Sequence, residues 1–297
     1  VAEHALTLKS LDDAKKIKNR ILDSFEAAQY CGDKDLLEEI LTFTIVGGGP
    51  TGIELAGEMS DFIRGPLSNI YPELVAQTKV VLIQSGDKLV PQVDPWFHKK
   101  ASVILKKKEV NILFEHRVTE VKGDRVIMNH GEINSRNVFW TAGVKAREIE
   151  MKSEKNIDID ERSRRIKVND NLEVVGYENV YAAGDQAYLI DKDTEQPYPM
   201  RAQFAVRQGV VAAHNISSKL HGGKMKEFAW RDQGFIVSLG KGGALAQIFG
   251  IKFSGPIAWW LYRTAYLFKL VGVKAKLRTG LEWAISLVFS RDISKLS

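Results

Sequence analysis

Apolar residues recur at helical spacing near the start of the chain, through Leu11, Ala14, Ile17, Ile21, Phe25 and Ala28, with Ser10 and Asp13 as a capping pair at the head of the run. A second short helical run covers Leu36 to Leu41. The period then changes. Phe43 to Gly47 and Lys79 to Gln84 are short β-branched and apolar stretches that read as buried strands. Between them lies a helix prolonged by the turn-rich segment RGPLSNIYPEL, with Gly65, Pro66 and Pro72. Short alternating strands follow at NILF, VTEV and VIM, the last two joined as a hairpin across Gly123 and Asp124. NVFWTAG, Asn137 to Gly143, predicts a buried strand ending in a small-residue turn. IDID with RIKVND predicts a hairpin, NVYAAGD (Asn179 to Asp185) a buried strand with an acidic end, and Arg201 to Leu220 a helix. β-α-β with an inserted meander, then more strand and helix, is a doubly wound α/β plan.

The junction of the first strand and the following helix carries the chemistry. TIVGGGPTGIELAGE, Thr44 to Glu58, places Gly47, Gly49 and Gly52 after a strand and at the opening of a helix, with a second apolar strand downstream. That context makes G-x-G-x-x-G specific for a dinucleotide. Gly47 permits the tight turn, Gly49 lets backbone approach a pyrophosphate, and Gly52 lets helix and strand pack closely. Pro50 and Thr51 complete the loop, and the helix start offers unpaired N–H groups to the phosphates. At the end of the second strand, where Asp or Glu would accept from the ribose 2′-OH, stands Gln84, whose amide can bond the hydroxyl but does not repel a 2′-phosphate as a carboxylate would; NADH is expected, without strict exclusion of NADPH. Glu54, on the first helical turn, is expected beside the bound nicotinamide; the alternative is a carboxylate that merely complements the helix dipole.

With 297 residues, 44% hydrophobic and 27% charged, the chain has ordinary globular composition and room for two domains. One cysteine, Cys31, excludes an internal disulfide framework and any Cys-rich metal site, and it reads as a small helix-end residue. His4, His98, His116, His130, His214 and His221 show no ligand spacing, so no metal is expected. The net charge of +5 is concentrated: from Lys252 onward, eight Lys/Arg stand against two Glu/Asp, a net +6. Trp259, Trp260 and Trp283 with Tyr262, Tyr266, Phe268 and Phe289 accompany those charges, which points to an anionic membrane surface rather than nucleic acid. Pro256 to Val273 is too short and too charged to span, since Arg263 and Lys269 interrupt it. The last helix is amphipathic, with Leu281, Ala284, Ile285 and Val288 opposite Arg278, Glu282, Ser286 and Ser290. Lys274, Lys276 and Arg278 would face headgroups.

Taken together, GGGPTGIELAGEMSDF, NVFWTAG, NVYAAGD, RAQFAVRQG and the closing GPIAWWLYRTAYLFKL and LEWAISLVFSRD resemble the type II (alternative) NADH:quinone dehydrogenases along the whole chain. The resemblance implies a flavoprotein reductase fold with two dinucleotide-binding domains, the NADH domain inserted in an incomplete FAD domain, and C-terminal amphipathic membrane helices. It implies a division into 1–42 and 143–230 for FAD, 43–142 for NAD(P)H and 231–297 for membrane docking. The family's first glycine loop, for the ADP part of FAD, would belong in roughly a hundred residues before Val1, so the chain is expected to be a C-terminal portion, inactive by itself. Gly184 and Asp185 would meet the ribityl-phosphate side of FAD, and Thr141, Ala142 and Gly143 would form the crossover between domains. Ala202 and Gln203 would stand at the flavin and quinone, where Glu54 and Gln203 would be the catalytic pair. Cofactors would be FAD and NADH, with NADPH not excluded. Partners would be a membrane quinone and an anionic membrane surface, with no nucleic acid and with a homodimer allowed. The place would be the cytoplasmic face of the bacterial inner membrane, in preference to the mitochondrial one. Competing readings are a soluble flavin reductase of the disulfide or ferredoxin type and a non-enzymatic membrane-docked nucleotide-binding module.

Overall fold

A computed structural model describes residues 3–143, 146, 147, 149, 156–230, 234–288 (for 286–288 the backbone only) and 293–295. The chain divides into two compact units, Val1–Ala142 with Gln233–Ser297, and Gly143–Asp232.

The first unit opens with β1 (Ala5–Thr7), α1 (Leu11–Gln29), α2 (Lys34–Leu41), β2 (Thr42–Val46) and α3 (Pro50–Arg64). A 3-10 turn and α4 (Pro72–Gln77) occupy the turn-rich stretch, followed by β3 (Lys79–Ile83), α5 (Pro95–Lys107) and β4 (Val110–Leu113). The meander β5 (Val118–Val121), β6 (Arg125–Met128) and β7 (Glu132–Asn134) precedes β8 (Asn137–Trp140). A parallel sheet runs β1-β8-β2-β3-β4, and β5-β6-β7 form a separate antiparallel sheet. α1 starts with a complete Ser10–Asp13 capping box. Its buried stripe is Ile17, Ile21, Leu22, Ser24, Phe25 and Ala28, while Leu11 and Ala14, expected on that face, are exposed. Leu11 falls within about 40° of Leu22 and Phe25 around the helix and so shares their face, but it stands on the first turn, beyond the end of the buried stripe. Phe25, Phe43 and Phe139 stack across α1, β2 and β8 with centroids 6.2 and 6.5 Å apart, fixing helix to sheet at the centre of the core.

The second unit contains β9 (Ile166–Lys167), a 3-10 turn at Gly184–Gln186, β10 (Ala187–Tyr188) and α6 (Ala202–His221), which ends on left-handed Gly222. One expectation is met over a single bridge and another fails. IDID and RIKVND share a single antiparallel bridge, Ile159 with Ile166, while β9 pairs in parallel with β10. NVYAAGD is not a strand: Tyr181 makes one bridge to Glu173, and Asn179 takes a left-handed φ of 65°. Paired alanines bring little β preference, and the left-handed turn breaks the extended run.

Back in the first unit, β11 (Gly234–Ser238), β12 (Ala244–Ile248) and β13 (Ile251–Ser254) form an antiparallel sheet, followed by α7 (Pro256–Lys269) and α8 (Val273–Val288). Phe249 and Gly250, both with positive φ, join β12 to β13 in a two-residue turn. The region assigned wholly to membrane docking therefore begins as a sheet. α7 buries Ala258 and Trp259 against Ala244 and Ala246, so that face is protein core. The outer faces of α7 and α8 expose Trp260, Phe268, Leu277, Leu281 and Ile285. Phe289 of the aromatic set and Ser290 of the expected amphipathic pattern lie outside the described residues, as do the side chains of Ser286 and Val288. Among the described residues, no helix is long and apolar enough to cross a membrane.

Candidate dinucleotide-binding site

The glycine loop sits at the carboxyl edge of the parallel sheet, where open α/β folds take ligands. β2 ends at Val46, and Gly47 turns the chain with φ 113° while its N–H donates to the Ile83 carbonyl at 2.8 Å. A side chain at Gly47 would fall 2.8 Å from the Ala142 backbone, and one at Gly52 would overlap the Gly47 carbonyl and approach Thr141 Oγ1 to 2.8 Å. Thr141 Oγ1 donates towards the Val46 and Gly47 carbonyls at 2.9 and 3.1 Å, locking the turn after β8 to the loop. At Gly49 the situation is opposite: a Cβ would meet nothing within 4 Å. Two glycines are thus required by the protein's own close approach, and the third faces open space. α3 starts at Pro50 without a side-chain cap, leaving first-turn N–H groups for a ligand; Thr51 is exposed beside them. This cradle fits a pyrophosphate.

Gln84 is tied differently from the expectation. Its Oε1 accepts from the Gly48 N–H at 2.9 Å and its Nε2 donates to the Lys88 carbonyl at 3.1 Å, so the amide braces the glycine loop against the loop after β3. A Gln84→Glu variant keeps the acceptor for Gly48 and adds a charge that repels a 2′-phosphate. The expected result is about a tenfold rise in the NADH over NADPH ratio of kcat/KM. An unchanged ratio would show that position 84 does not face the ribose.

Glu54 is held half-buried on α3. Its Oε1 accepts from the Ser238 N–H of β11 at 3.1 Å. Burial pushes the carboxyl up to about 7, the Ser238 amide pulls it down, and Glu58 one turn on raises it again. Burial also raises Tyr262 and Tyr266 of α7, and the Glu54 carboxylate raises both further. Since the carboxyl holds its proton more tightly in the folded state than its ordinary value of 4.5, its contribution to stability is fully present below that pH and is lost as pH rises through about 7. Glu54→Gln removes this dependence. Relative to wild type, its stability should improve by about 2.5 kcal/mol between pH 5 and pH 8, read from denaturant unfolding at both. Parallel pH profiles would mean that Glu54 titrates normally.

In the second unit, Gly184 has φ 67°, and its N–H donates to Gln208 Oε1 of α6 at 2.7 Å. That donor is therefore occupied by protein, and the exposed Asp185 carboxylate next to it is the group presented outward. The buried Arg165 guanidinium donates to the Ala187 carbonyl behind the same turn, and its electrostatic partner is Asp185. α6 begins at Ala202 without a side-chain cap, Ala202 is exposed, and Gln203 is half-buried with its carbonyl accepting from Arg207 at 2.9 Å. Arg207 lies over the Trp230 ring at 3.6 Å. Exposed Gly143 carries φ 76°. Arg165 and Ser238 did not emerge from the sequence, because each acts through a backbone group that no residue pattern marks; Gln208 belongs to RAQFAVRQG, but its partner, the Gly184 amide, is marked by no pattern.

A parallel sheet carrying a glycine cradle at its carboxyl edge defines a dinucleotide-binding α/β fold. The chain belongs to the pyridine nucleotide-disulphide oxidoreductase family, whose model matches residues 1–209, and membership implies FAD and NAD(P)H as cofactors. Among named proteins, it is similar to the type II NADH:quinone oxidoreductase Ndh of Mycobacterium tuberculosis, with 29% identity over 98% of this chain and 64% of that one. A probable NADH dehydrogenase of Dictyostelium discoideum is 32% identical over 99% of this chain and 65% of that one. The chain thus spans just under two thirds of the length of these relatives. In fold it matches the structure of NDH2 from Plasmodium falciparum in complex with NADH, with a TM-score of 0.89 at 17% identity, covering 99% of this chain and 76% of that one.

Proposed function

We propose that this protein oxidises NADH through a bound flavin and delivers the electrons to a membrane quinone without pumping protons. The glycine cradle carries the reading: Gly47 and Gly52 are closed by protein while Gly49 opens to solvent, in a chain whose relatives are named for NADH and quinone. Residues 43–142 would bind NADH, together with 1–42, whose β1 and α1 complete the same sheet and core and not a flavin domain, while 143–230 would serve the flavin. Gly47, Gly49, Pro50, Thr51 and Gly52 bind the pyrophosphate and Gln84 holds their loop in shape. Glu54 lines the nicotinamide side, where a carboxyl poised near 7 can hold or release a proton at working pH. Thr141, Ala142 and Gly143 make the crossover. Asp185, set by Gly184 and Gln208, binds the flavin's polyol and phosphate side, and Ala202 and Gln203 present the start of α6 to the flavin ring and quinone. A bound FAD supplies the hydride acceptor and the electron outlet.

The α7–α8 outer face, apolar and flanked by Lys274, Lys276 and Arg278, supports docking on an anionic membrane, as a monotopic protein on the cytoplasmic face of the bacterial inner membrane. Docking is confined to these two helices, since 234–254 is sheet packed on the first unit. Steady-state turnover of the flavin-loaded protein with NADH and a short-chain quinone, a disulfide or a ferredoxin as acceptor tests the function. Quinone should be strongly preferred; turnover with disulfide alone would reject it.

A further inference from the structure

Glu54, Gly57 and Asp61 lie at helical spacing on α3 and meet one short segment, 238–241, at the end of β11. At one end the Ser238 amide donates to Glu54; at the other, the Lys241 amide donates to Asp61 Oδ2 at 2.5 Å. Lys108 Nζ reaches Asp61 Oδ1 at 2.5 Å and the Lys241 carbonyl at 3.3 Å. Between the two carboxylates is Gly57, buried, where a Cβ would stand 2.5 Å from the Leu239 carbonyl oxygen and 2.9 Å from its Cα. Those atoms are backbone and cannot swing aside. Glycine is a poor residue for the middle of a helix, so the position is set by close approach rather than by helix formation.

We propose that Gly57 is a positioning residue for Glu54: its missing side chain lets the 238–241 segment lie against α3, so that the Ser238 amide reaches the Glu54 carboxylate and the C-terminal sheet completes the nicotinamide site. The proposal rests on the reading of Glu54 as lining that site. Four groups face the carboxylate. Glu58 on α3 disfavours its charge, Tyr262 and Tyr266 on α7 are kept neutral by burial and by Glu54 itself, and the Ser238 amide on β11 favours the charge. Shifting the segment away from α3 lengthens the favourable contact and leaves Glu58, on the same helix, in place.

The test is a carbon-13 NMR titration of the Glu54 carboxyl in the flavin-loaded protein without NADH, assigned with Glu54→Gln. Wild type should titrate near 7, and Gly57→Ala should titrate about one unit higher. Asp61→Ala, which frees the same segment from its other end, should move the midpoint the same way by less, and it carries the test if Gly57→Ala fails to fold. In turnover, Gly57→Ala should lower kcat about tenfold with KM for NADH held within about twofold, and should cost nothing further in a Glu54→Gln background. Unmoved midpoints in the variants that fold, or losses that multiply, overturn the proposal. If Glu54→Gln turns over like wild type, the reading of Glu54 at the nicotinamide falls, while a raised midpoint still upholds Gly57 as the residue that places the amide.

Discussion

A Gly49→Val variant is expected to fold like wild type and to bind NADH about a hundredfold more weakly, roughly 2.8 kcal/mol. A side chain at this position meets no protein atom within 4 Å, and its backbone, with φ −74° and ψ −177°, suits a β-branched residue. Fold and ligand therefore separate: the valine methyls occupy only the space through which a pyrophosphate would reach the first N–H groups of α3. Gly52→Ala makes the contrast, because its Cβ overlaps the Gly47 carbonyl and must distort the loop itself. Calorimetric titration with NADH and thermal unfolding of both variants measure the two effects. Wild-type affinity in Gly49→Val would place the nucleotide elsewhere.

Replacing Trp260, Phe268, Leu277 and Leu281 together with serine should lower partitioning onto anionic vesicles on the order of a thousandfold. These side chains are 54%, 73%, 70% and 64% exposed, and even about 1 kcal/mol apiece on burial reaches that factor. The core of the first unit does not use them, so unfolding should be unaffected. Lys274, Lys276 and Arg278 add about 1 kcal/mol each near an anionic surface, which makes binding weaken without vanishing as salt rises. Flotation of the flavin-loaded protein across a salt series reads both contributions. A fourfold serine variant that still floats would move the docking face away from α7 and α8.

The parts of the fold legible in the sequence are those whose pattern is local. The strand, glycine loop and helix from Thr42 to Arg64, the parallel partner β3 and the hairpin β5–β6 follow from period and turn residues, and the structure contains them; NILF, read with that hairpin, is instead β4 of the parallel sheet, and β7 completes the meander in its place. The sheet β11 to β13 was not legible because its centre is Ala244 and Ala246, whose small side chains serve to receive α7 and carry little strand preference. NVYAAGD misled in the opposite sense: its apolar run is stabilised by scattered turn hydrogen bonds, such as Ala182 N–H to Leu172 O, and not by a ladder. The site shows the same division. Gly47, Gly49 and Gly52 announce themselves by spacing, whereas the partner of Glu54 is a backbone amide 184 residues away. Gln84 was noticed for its place at a strand end, but its amide is committed to Gly48 and Lys88, which only the folded loop brings within reach.

Anaerobic stopped-flow mixing of the flavin-loaded protein with NADH, followed by a second mixing with a short-chain quinone, tests the central claim most directly. The flavin absorbance should bleach on NADH with wild-type cradle residues, bleach far more slowly at the same NADH concentration in Gly49→Val, and return on quinone. Bleaching that quinone does not reverse would contradict the quinone half of the account, and a flavin that NADH leaves oxidised would contradict it altogether.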